Sequence, residues 1–222
     1  MRYIVVDLEM NPVADMHKNI QDVCKTEIIE IGAVLLDDNY EEISCFKTYV
    51  RPQFNTEITN RINGLTGISW EMVYTAPTFT EAMKMFIYWC NKVTEDFQII
   101  QWSENDRKQI EKEALIKDPI LWEMNIFHDE KWIDFQQEYG LRIGRNRKTS
   151  LPEAVMFAGE DFEGRHHDAL FDARNTAELL RIVRKPDQCK KALGTVIEAL
   201  KEKPVGVIIG ELFNLNELCL SA

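Results

Sequence analysis

The order of apolar segments along the chain is the feature that most restricts its fold. Three such segments fall in the first fifty residues, at 3–8, 28–36 and 43–50, and their length and composition predict β-strands. The polar turn at 37–39 separates the second segment from the third by so few residues that we expect the two to form an antiparallel hairpin. The chain therefore begins with strands that are consecutive in sequence.

Strands and helices alternate in the rest of the chain. Apolar residues recur at helical spacing at Ala82, Met85, Phe86 and Trp89, which predicts a helix over 79–93. The segments that follow are a strand at 97–102, a polar helix capped by Ser103, a short strand at 131–135, a weak helix at 149–157 and a long amphipathic helix over 166–185 that Pro186 ends. This alternation predicts a layered α/β fold whose functional residues gather at strand ends and helix starts.

Length and charge limit what the chain can do. With 222 residues, 45% of them hydrophobic, it can build one α/β domain with a substantial core. Its net charge of -11 has the wrong sign for holding nucleic acid by broad electrostatic attraction. Any contact with nucleic acid must therefore be local or be mediated by cations.

The cysteine pattern and the N-terminus predict a cytoplasmic protein. The five cysteines are odd in number and form no CxxC pair, which argues against a disulfide framework and against a zinc site of common spacing. We find no signal-peptide pattern at the N-terminus and no apolar run of the roughly 18 residues that a membrane span needs. We expect no membrane association.

Two acids follow the first apolar run, in the segment IVVDLEM. Side chains alternate between the faces of a strand, so Asp7 and Glu9 should point to one face while Leu8 points to the other. Two carboxylates on one face repel each other and need a neutralising partner, which could be a basic side chain, protons or a metal. The pair could also lie at a solvated strand end, with no function.

Further acids and a histidine belong to the same predicted edge of the sheet. Asp106 lies in the first turn of the helix that follows the fourth strand, where the helix dipole also favours an acid. Asp172 borders the apolar stripe of the last long helix, and His167 precedes it by five positions. Because His166, Asp161 and Asp168 are close in sequence, composition alone does not select His167.

These positions together resemble the DnaQ-like 3′–5′ exonucleases of the DEDDh subgroup. That family has a DxE on the first strand, an aspartate early in the helix after the fourth strand and an H-x4-D near a late helix start. The matching positions here are Asp7, Glu9, Asp106, His167 and Asp172. Within the family, the segment INGLTGISWEMVYTAPTFTEA is most similar to the enhanced-RNAi-type branch, which includes bacterial proteins known as sporulation inhibitors.

The resemblance implies a fold and a division of the chain. The fold is ribonuclease H-like, with a mixed central sheet of about five strands and helices on both faces. The exonuclease domain would comprise residues 1–185. Residues 186–222 would be a C-terminal extension, helical at 188–201 and apolar from 204 onward, that packs on the domain or forms a subunit contact.

The resemblance also implies a chemistry. The four acids would hold two divalent cations, Mg²⁺ or Mn²⁺, about 3.5–4 Å apart, with Asp7 bridging them. His167 would act as the general base that takes a proton from the attacking water. The expected partner is the 3′ end of a single-stranded nucleic acid, with RNA or short oligonucleotides favoured over DNA, and the product is a nucleoside 5′-monophosphate. Met10, Leu65 and Thr66 would contact the terminal nucleotides.

Two other functions are compatible with the same residues. A regulatory protein on this fold, such as a sporulation-pathway inhibitor, could bind a protein partner or a nucleic-acid end without cutting it. A metal-dependent nuclease of another polarity, such as an endonuclease, could also use four acids. The histidine argues against the first, and the H-x4-D spacing favours the exonuclease over the second.

Overall fold

A five-stranded sheet organises the molecule, whose computed structural model describes residues 1–93, 97–124, 126 and 129–201. The strands are β1 (Arg2–Pro12), β2 (Thr26–Leu36), β3 (Glu42–Tyr49), β4 (Phe97–Gln101) and β5 (Trp132–Asp134). Their spatial order is β3-β2-β1-β4-β5. The pairs β1–β2 and β2–β3 are antiparallel, whereas β1–β4 and β4–β5 are parallel. The predicted mixed sheet and the predicted β2–β3 hairpin are confirmed.

Helices lie on both faces of the sheet. Those within the described residues are α1 (Lys18–Gln21), α2 (Asn60–Thr66), α3 (Trp70–Val73), α4 (Phe79–Val93), α5 (Asn105–Lys117), α6 (Pro119–Trp122), α7 (Phe135–Ile143), α8 (Leu151–Phe157), α9 (Ala169–Arg184) and α10 (Pro186–Leu200). Helices α4 and α5 cover one face with residues such as Phe86 and Ile110. Helices α7 to α10 cover the other, where Tyr139 and Leu180 are fully buried.

The two faces of β1 are divided as its alternation predicts. Ile4, Val6 and Leu8 belong to the core on the α4 and α5 face, whereas Val5 belongs to the core under α9. Asp7 and Glu9 continue the alternation of Val5, so they lie on the face that α9 covers. The prediction that both acids share one face is confirmed.

The predicted end of the first strand is wrong. β1 continues to Pro12 because its last residues pair with the start of β2, after a register shift between Glu9 and Met10. On the other side of β1, the pairing with β4 ends at Val6 and Gln101. The two acids therefore lie inside a strand, at the point where one of its two neighbours ends.

Two helix starts also differ from the sequence prediction. α5 begins after Glu104, and Ser103 is not its cap, because the side chain of Gln101 accepts the hydrogen bond from the Arg107 backbone N–H instead. α9 begins at Ala169, and Asp168 is its cap. His167 has a φ of 60°, so the chain passes through a left-handed turn before this helix begins.

The start of the C-terminal extension lies against the sheet's helical layer. Helix α10 buries Cys189 and Leu193 in the core shared with α7, α8 and α9. Lys185 is extended, as expected before proline, and separates α9 from α10. The apolar segment predicted from residue 204 onward lies outside the described residues. No described helix has both the length and the apolar character to cross a membrane.

Candidate active site

The end of β4 creates an open edge on β1 at the position of the two acids. Beyond Val6 the backbone of β1 has no strand partner on the β4 side within the described part of the chain, and helix α5 begins next to this space. Asp106, in the first turn of α5, is buried there and interacts with the backbone of Leu8. The backbone of Leu8, which no longer pairs with β4, thus holds the carboxylate of Asp106 next to Asp7.

Helix α9 brings the fourth acid to the same place. Its first turn lies directly on Gly32 of β2, where a Cβ would be 2.2 Å from the carbonyl carbon of Ala169 and from the nitrogen of Leu170. Gly32 is the cross-strand partner of Asp7. The absence of a side chain at residue 32 therefore allows Asp172, one turn into α9, to approach the β1 acids.

His167 lies at the mouth of this acidic cluster. Its Nδ1 is 3.8 Å from Oε1 of Glu9, and its side chain is 52% exposed against 11% for Glu9. One ligand atom each of Glu9, His167 and Asp172 can be chosen so that all lie within 4.8 Å of one another. The imidazole thus faces both solvent and the carboxylates.

Burial and mutual repulsion make these carboxylates weak acids. Burial is the first cause in every case: it raises the pKa of Glu9 to about 8, and that of Asp106 and of Asp172 to about 7. The pKa of Asp7 is raised well above its usual value by burial and by the charges of Asp106 and Asp172. Contacts with the backbone of Leu8 at Asp106, and of His167 at Asp172, oppose these shifts. Near neutral pH the cluster holds protons that a cation could replace.

The donor set fits hard divalent cations. Oδ1 of Asp172 is buried and has no hydrogen-bond partner among the described residues, although a buried carboxylate oxygen normally has one. Oxygen-rich carboxylate sites suit Mg²⁺ and Mn²⁺ better than thiolate-preferring metals. Asp7, Glu9, Asp106 and Asp172 could hold such ions, with His167 beside them.

The three predicted nucleotide contacts lie in different surroundings. Met10 follows Glu9 after the register shift and is half-buried. Leu65 on α2 is 41% exposed. Thr66 is buried, and its hydroxyl donates to the Ile62 carbonyl at 2.9 Å and accepts from the Ile68 N–H at 3.0 Å. Leu65 can therefore meet a ligand directly, whereas the Thr66 hydroxyl already has two partners.

The turn that carries His167 is connected to α2. Arg165 donates hydrogen bonds to the carbonyl oxygens of Leu65 at 3.2 Å and Gly64 at 3.5 Å. Its guanidinium occupies the space beside Gly67, where a Cβ would be 1.8 Å from Nη1. The helix with the exposed Leu65 and the turn with His167 are thus in direct contact.

Sequence reasoning missed Glu30, Lys47 and Gly32. Glu30 is the cross-strand partner of Glu9 and is buried, and its charge contributes to the raised pKa of Asp7, Glu9 and Asp172. The signal for Glu30 was available in the sequence, since it is the single acid in the apolar segment 28–36 that predicted this strand. Lys47 on β3 carried no such signal.

Aromatic and basic residues that could contact a nucleic acid lie outside this acidic cluster. Trp102 and Phe79 are buried in the two main cores and cannot stack on a base without rearrangement. Arg145 is paired with Glu153, whereas the side chain of Arg147 is 78% exposed. Arg147 and Lys148 line a polar cleft of about 450 Å³ that also includes Glu104, two residues before Asp106.

Comparison with known proteins identifies relatives of this chain. The human protein "3'-5' exoribonuclease 1" is 31% identical over 170 residues, which cover 69% of this chain and 45% of the human protein. "Probable 3'-5' exonuclease KapD" of Bacillus subtilis (strain 168) is 30% identical over 197 residues, which cover 86% of this chain and 84% of the relative. The chain spans about half the length of the mammalian 3'-5' exoribonuclease 1 proteins it matches, as the 48% coverage of the rat protein illustrates.

Solved structures share the fold. The nuclease domain of 3'hExo, described as a DEDDh family member bound to rAMP, aligns with a TM-score of 0.69 and 26% identity over 84% of this chain and 92% of that domain. Pop2p of S. pombe, in its Mg²⁺ and Mn²⁺ bound form, aligns with a TM-score of 0.61 over 82% of each chain, and its 16% identity supports the shared fold alone. The predicted ribonuclease H-like fold is confirmed.

The family model described as "RNase_T: Exonuclease" matches residues 4–180, a range that includes all four acids and His167. This chain belongs to the RNase_T exonuclease family.

Proposed function

We propose that this protein is a metal-dependent 3′–5′ exonuclease that hydrolyses the phosphodiester bonds of single-stranded nucleic-acid ends to nucleoside 5′-monophosphates. The observation that carries the proposal is the convergence of Asp7, Glu9, Asp106 and Asp172 beside the half-exposed imidazole of His167. Four acids that repel one another in a buried site are costly to a protein that only needs a fold. A role in catalysis explains why they are together.

In this proposal, His167 is the residue that transfers the proton. It is the most exposed member of the group, so a water and a phosphodiester can both reach its ring. When the imidazole accepts a proton from the attacking water, the carboxylate of Glu9 near Nδ1 stabilises the imidazolium. The left-handed turn at residue 167 holds the imidazole at the rim of the cluster.

The acids supply the negative charge that two Mg²⁺ or Mn²⁺ ions would need. When bound, such ions stabilise the charge that develops on the attacking and leaving oxygens of a phosphodiester. Asp7, in the middle of β1, is affected by the charges of Asp106, Asp172 and Glu9 and would hold these ions together with them. Glu9, Asp106 and Asp172 would each give up the proton that burial favours.

The substrate is proposed to be RNA or a short oligonucleotide. The human relative's name specifies an exoribonuclease, and the 3'hExo domain was solved with rAMP. In this chain, exposed Leu65 is joined through Arg165 to the turn that carries His167, so it would meet the terminal base while Met10 lies beside Glu9. Thr66 would contribute through its backbone, because its hydroxyl is engaged.

A nuclease assay tests the proposal. 5′-Labelled single-stranded RNA and DNA of one sequence are incubated with Mg²⁺, Mn²⁺ or chelator, using the wild type, Asp7→Ala and His167→Ala. His166→Ala is the matched control, since the neighbouring His166 packs against Phe162 in a tilted arrangement, with ring centroids 3.8 Å apart. We expect a 3′–5′ ladder, faster on RNA, that disappears with chelator and with either active-site substitution and persists in His166→Ala.

Two outcomes would contradict the proposal. Internal fragments instead of a ladder would identify an endonuclease. A folded wild-type protein that binds Mn²⁺ and RNA ends but releases no nucleotide would identify a regulatory binding protein of the same fold.

We also propose that the catalytic unit comprises residues 1–185 and that residues 186–222 form a C-terminal extension whose first helix, α10, packs on it. The support is that α10 buries Cys189 and Leu193 against the α7–α9 layer and that Nε of Arg142 donates to Sγ of Cys189 at 3.4 Å. A chain shortened to residues 1–185 should keep its activity and unfold at a lower temperature. Loss of activity without loss of folding would place a catalytic contribution in the extension.

A cytoplasmic location is proposed from the cysteines. Cys24, Cys45, Cys90 and Cys189 are free thiols, and all but Cys45 are buried. Free buried thiols persist best in a reducing compartment. Fractionation of cells that produce the tagged protein would test this proposal, and recovery outside the cytoplasm would contradict it.

A further inference from the structure

Glu30 poses an electrostatic problem that the proposed chemistry does not explain. It lies on β2 directly opposite Glu9, and its side chain is only 2% exposed. Like charges on directly opposed residues of a sheet destabilise it, and this pair lies next to three further acids. A buried carboxylate in this position requires a counter-charge and hydrogen bonds.

Lys47 supplies the counter-charge from the neighbouring strand. Its Nζ is 3.1 Å from Oε1 of Glu30 and 2.6 Å from Oδ2 of Asp168, and its own side chain is 31% exposed. On β3, Lys47 pairs with Gly32, the residue on which the start of α9 rests. One ammonium group thus connects β2 and β3 with the residue that follows His167.

The other oxygens of these two acids hold the backbone of the α9 start. Oε2 of Glu30 accepts the Ala169 N–H at 2.9 Å, and Oδ1 of Asp168 accepts the N–H groups of Leu170 at 3.2 Å and Phe171 at 3.3 Å. Three consecutive backbone N–H groups of the first turn of α9 are therefore satisfied by this pair of acids. Asp172 follows in the same turn, and His167 immediately precedes the cap residue Asp168.

We propose that Lys47, held between Glu30 and Asp168, is a positioning residue that fixes the left-handed turn of His167 and the first turn of α9 against the acid-bearing strand. The inference rests on the proposed function for its effect on turnover. Lys47 does not touch the reacting atoms in this arrangement. It acts through Asp168 on the histidine before it and through Glu30 on the helix that carries Asp172.

The arrangement also gives a counter-charge to the acid that follows His167. Asp168 would otherwise add a sixth carboxylate to the group formed by the four acids and Glu30. Its two oxygens are taken by Lys47 and by the α9 backbone, while its charge still contributes to the raised pKa of Glu9 and of Asp172. Asp168 is thus a helix cap and a tether rather than a further metal ligand.

Substitution of Lys47 tests the inference. Lys47→Met keeps the length of the side chain and removes its charge, and Lys47→Arg keeps the charge. Lys185→Met is the matched control, because Lys185 is 32% exposed and pairs with Glu41 at 3.4 Å, outside the active site. Asp168→Asn is a second variant that can still cap α9 but has no charge for Lys47.

We expect Lys47→Met to lower kcat on single-stranded RNA by about 10- to 100-fold, the range typical of residues that orient catalytic ligands, with little change in KM. Lys47→Arg should recover most of the loss, and Lys185→Met should match the wild type. Asp168→Asn should reduce kcat in the same direction. Wild-type kcat in both Lys47→Met and Asp168→Asn would overturn the inference, as would a loss that Lys47→Arg fails to recover.

A spectroscopic measurement separates this inference from the nuclease proposal. The chain has four histidines, so the imidazole signals can be resolved by NMR with ¹³C-labelled histidine and assigned with His167→Gln. In Lys47→Met the His167 signal should shift while that of His17 stays in place. This result would support the positioning role even if the wild type cleaved no RNA, and an unchanged His167 signal would overturn it.

Discussion

Gly32 and Ala169 are in contact through their backbones, so closely that a Cβ on Gly32 would lie 2.2 Å from the carbonyl carbon of Ala169. The contact fixes the separation between β2 and the start of α9 at a value that no residue with a side chain permits. Since Asp7 pairs with Gly32 and Asp172 lies in the same turn as Ala169, this separation also sets how closely the two acids approach.

Gly32→Ala should therefore reduce both stability and activity. The added methyl meets backbone atoms of Ala169 and Leu170, which cannot rotate away, and overpacking of this kind costs about 1–3 kcal/mol. α9 must then move outward and take Asp172 with it. Thermal unfolding and nuclease rate are the measurements, with Gly194→Ala on α10 as the control, because nothing lies within 4 Å of a Cβ there. Equal melting temperatures for the two variants would contradict the prediction.

The raised pKa values predict that the metal-free protein loses stability as the pH rises. Glu9 ionises at an ordinary pKa of 4.5 when unfolded and at about 8 when folded, and Asp106 and Asp172 shift in the same direction. Between these limits the native state binds more protons than the unfolded state, so the free energy of unfolding falls with increasing pH. The melting temperature in chelator should thus drop from about pH 5 to about pH 8.

Asp172→Asn isolates the contribution of the cluster to this pH dependence. It removes one of the repelling carboxylates, so at the alkaline end the variant should melt at a higher temperature than the wild type, although it loses nuclease activity. Each kcal/mol gained in the free energy of unfolding should raise Tm by about 2–4 °C. Mn²⁺ should raise the melting temperature of the wild type more at alkaline than at acidic pH, because the ion competes with protons. A wild-type melting temperature in chelator that rises over this pH range would refute the explanation.

Much of the site was predictable because its signals are local. The strand period places Asp7 and Glu9 on one face, and a helix start after a strand end places Asp106 at the same edge. The continuation of β1 beyond Leu8 to Pro12 was not predictable, since it depends on which residues of β2 pair with this strand. Glu30 and Lys47 belong together only after β2, β3 and α9 have assembled.

Helix α7 shows the limit of periodicity in the fold prediction. Its buried residues Phe135, Tyr139 and Ile143 follow helical spacing, but Gly140 interrupts them, and the remaining residues are polar except for the exposed Leu141. The sequence prediction therefore ended the fifth strand without a helix. Asp134, which caps α7 by accepting the Gln137 N–H, was the local signal that was overlooked.

Gly67→Ala should alter the contact between the histidine turn and α2. Gly67 has a φ of 71°, and a Cβ there would collide with the guanidinium of Arg165. Gly159→Ala is the control, because Gly159 has a φ of 73° but nothing within 4 Å of its Cβ position, so it isolates the cost of the left-handed backbone, about 1–2 kcal/mol.

We expect Gly67→Ala to raise KM for RNA beyond any effect of Gly159→Ala, since Arg165 must release the carbonyl oxygens of Gly64 and Leu65. In an Arg165→Met background the additional effect should disappear, because the collision is then relieved. A KM for Gly67→Ala that matches that of Gly159→Ala would show that the contact does not influence substrate binding.

A second buried ion network, formed by Lys117, Glu27 and Glu113, should contribute strongly to the stability of the fold. Nζ of Lys117 is 2.8 Å from Oε1 of Glu27 and 2.5 Å from Oε2 of Glu113, and these side chains are at most 3% exposed. Lys117→Met would leave two buried carboxylates without a counter-charge, which costs about 3–5 kcal/mol. Lys108→Met breaks an ion pair with Glu104 in which both side chains are 49% exposed, so its expected cost is about 0–1 kcal/mol.

The pH dependence of this loss identifies its cause. Burial raises the pKa of Glu113, and Lys117 opposes that shift, so removing the lysine raises this pKa further. A carboxyl whose folded pKa is raised contributes stability at low pH and loses it as the pH rises. The loss of unfolding free energy in Lys117→Met, measured by denaturant unfolding, should thus be larger at alkaline than at acidic pH. An equal loss at both pH values would mean that the cause is lost packing on Phe54 and Phe79 rather than unpaired charge.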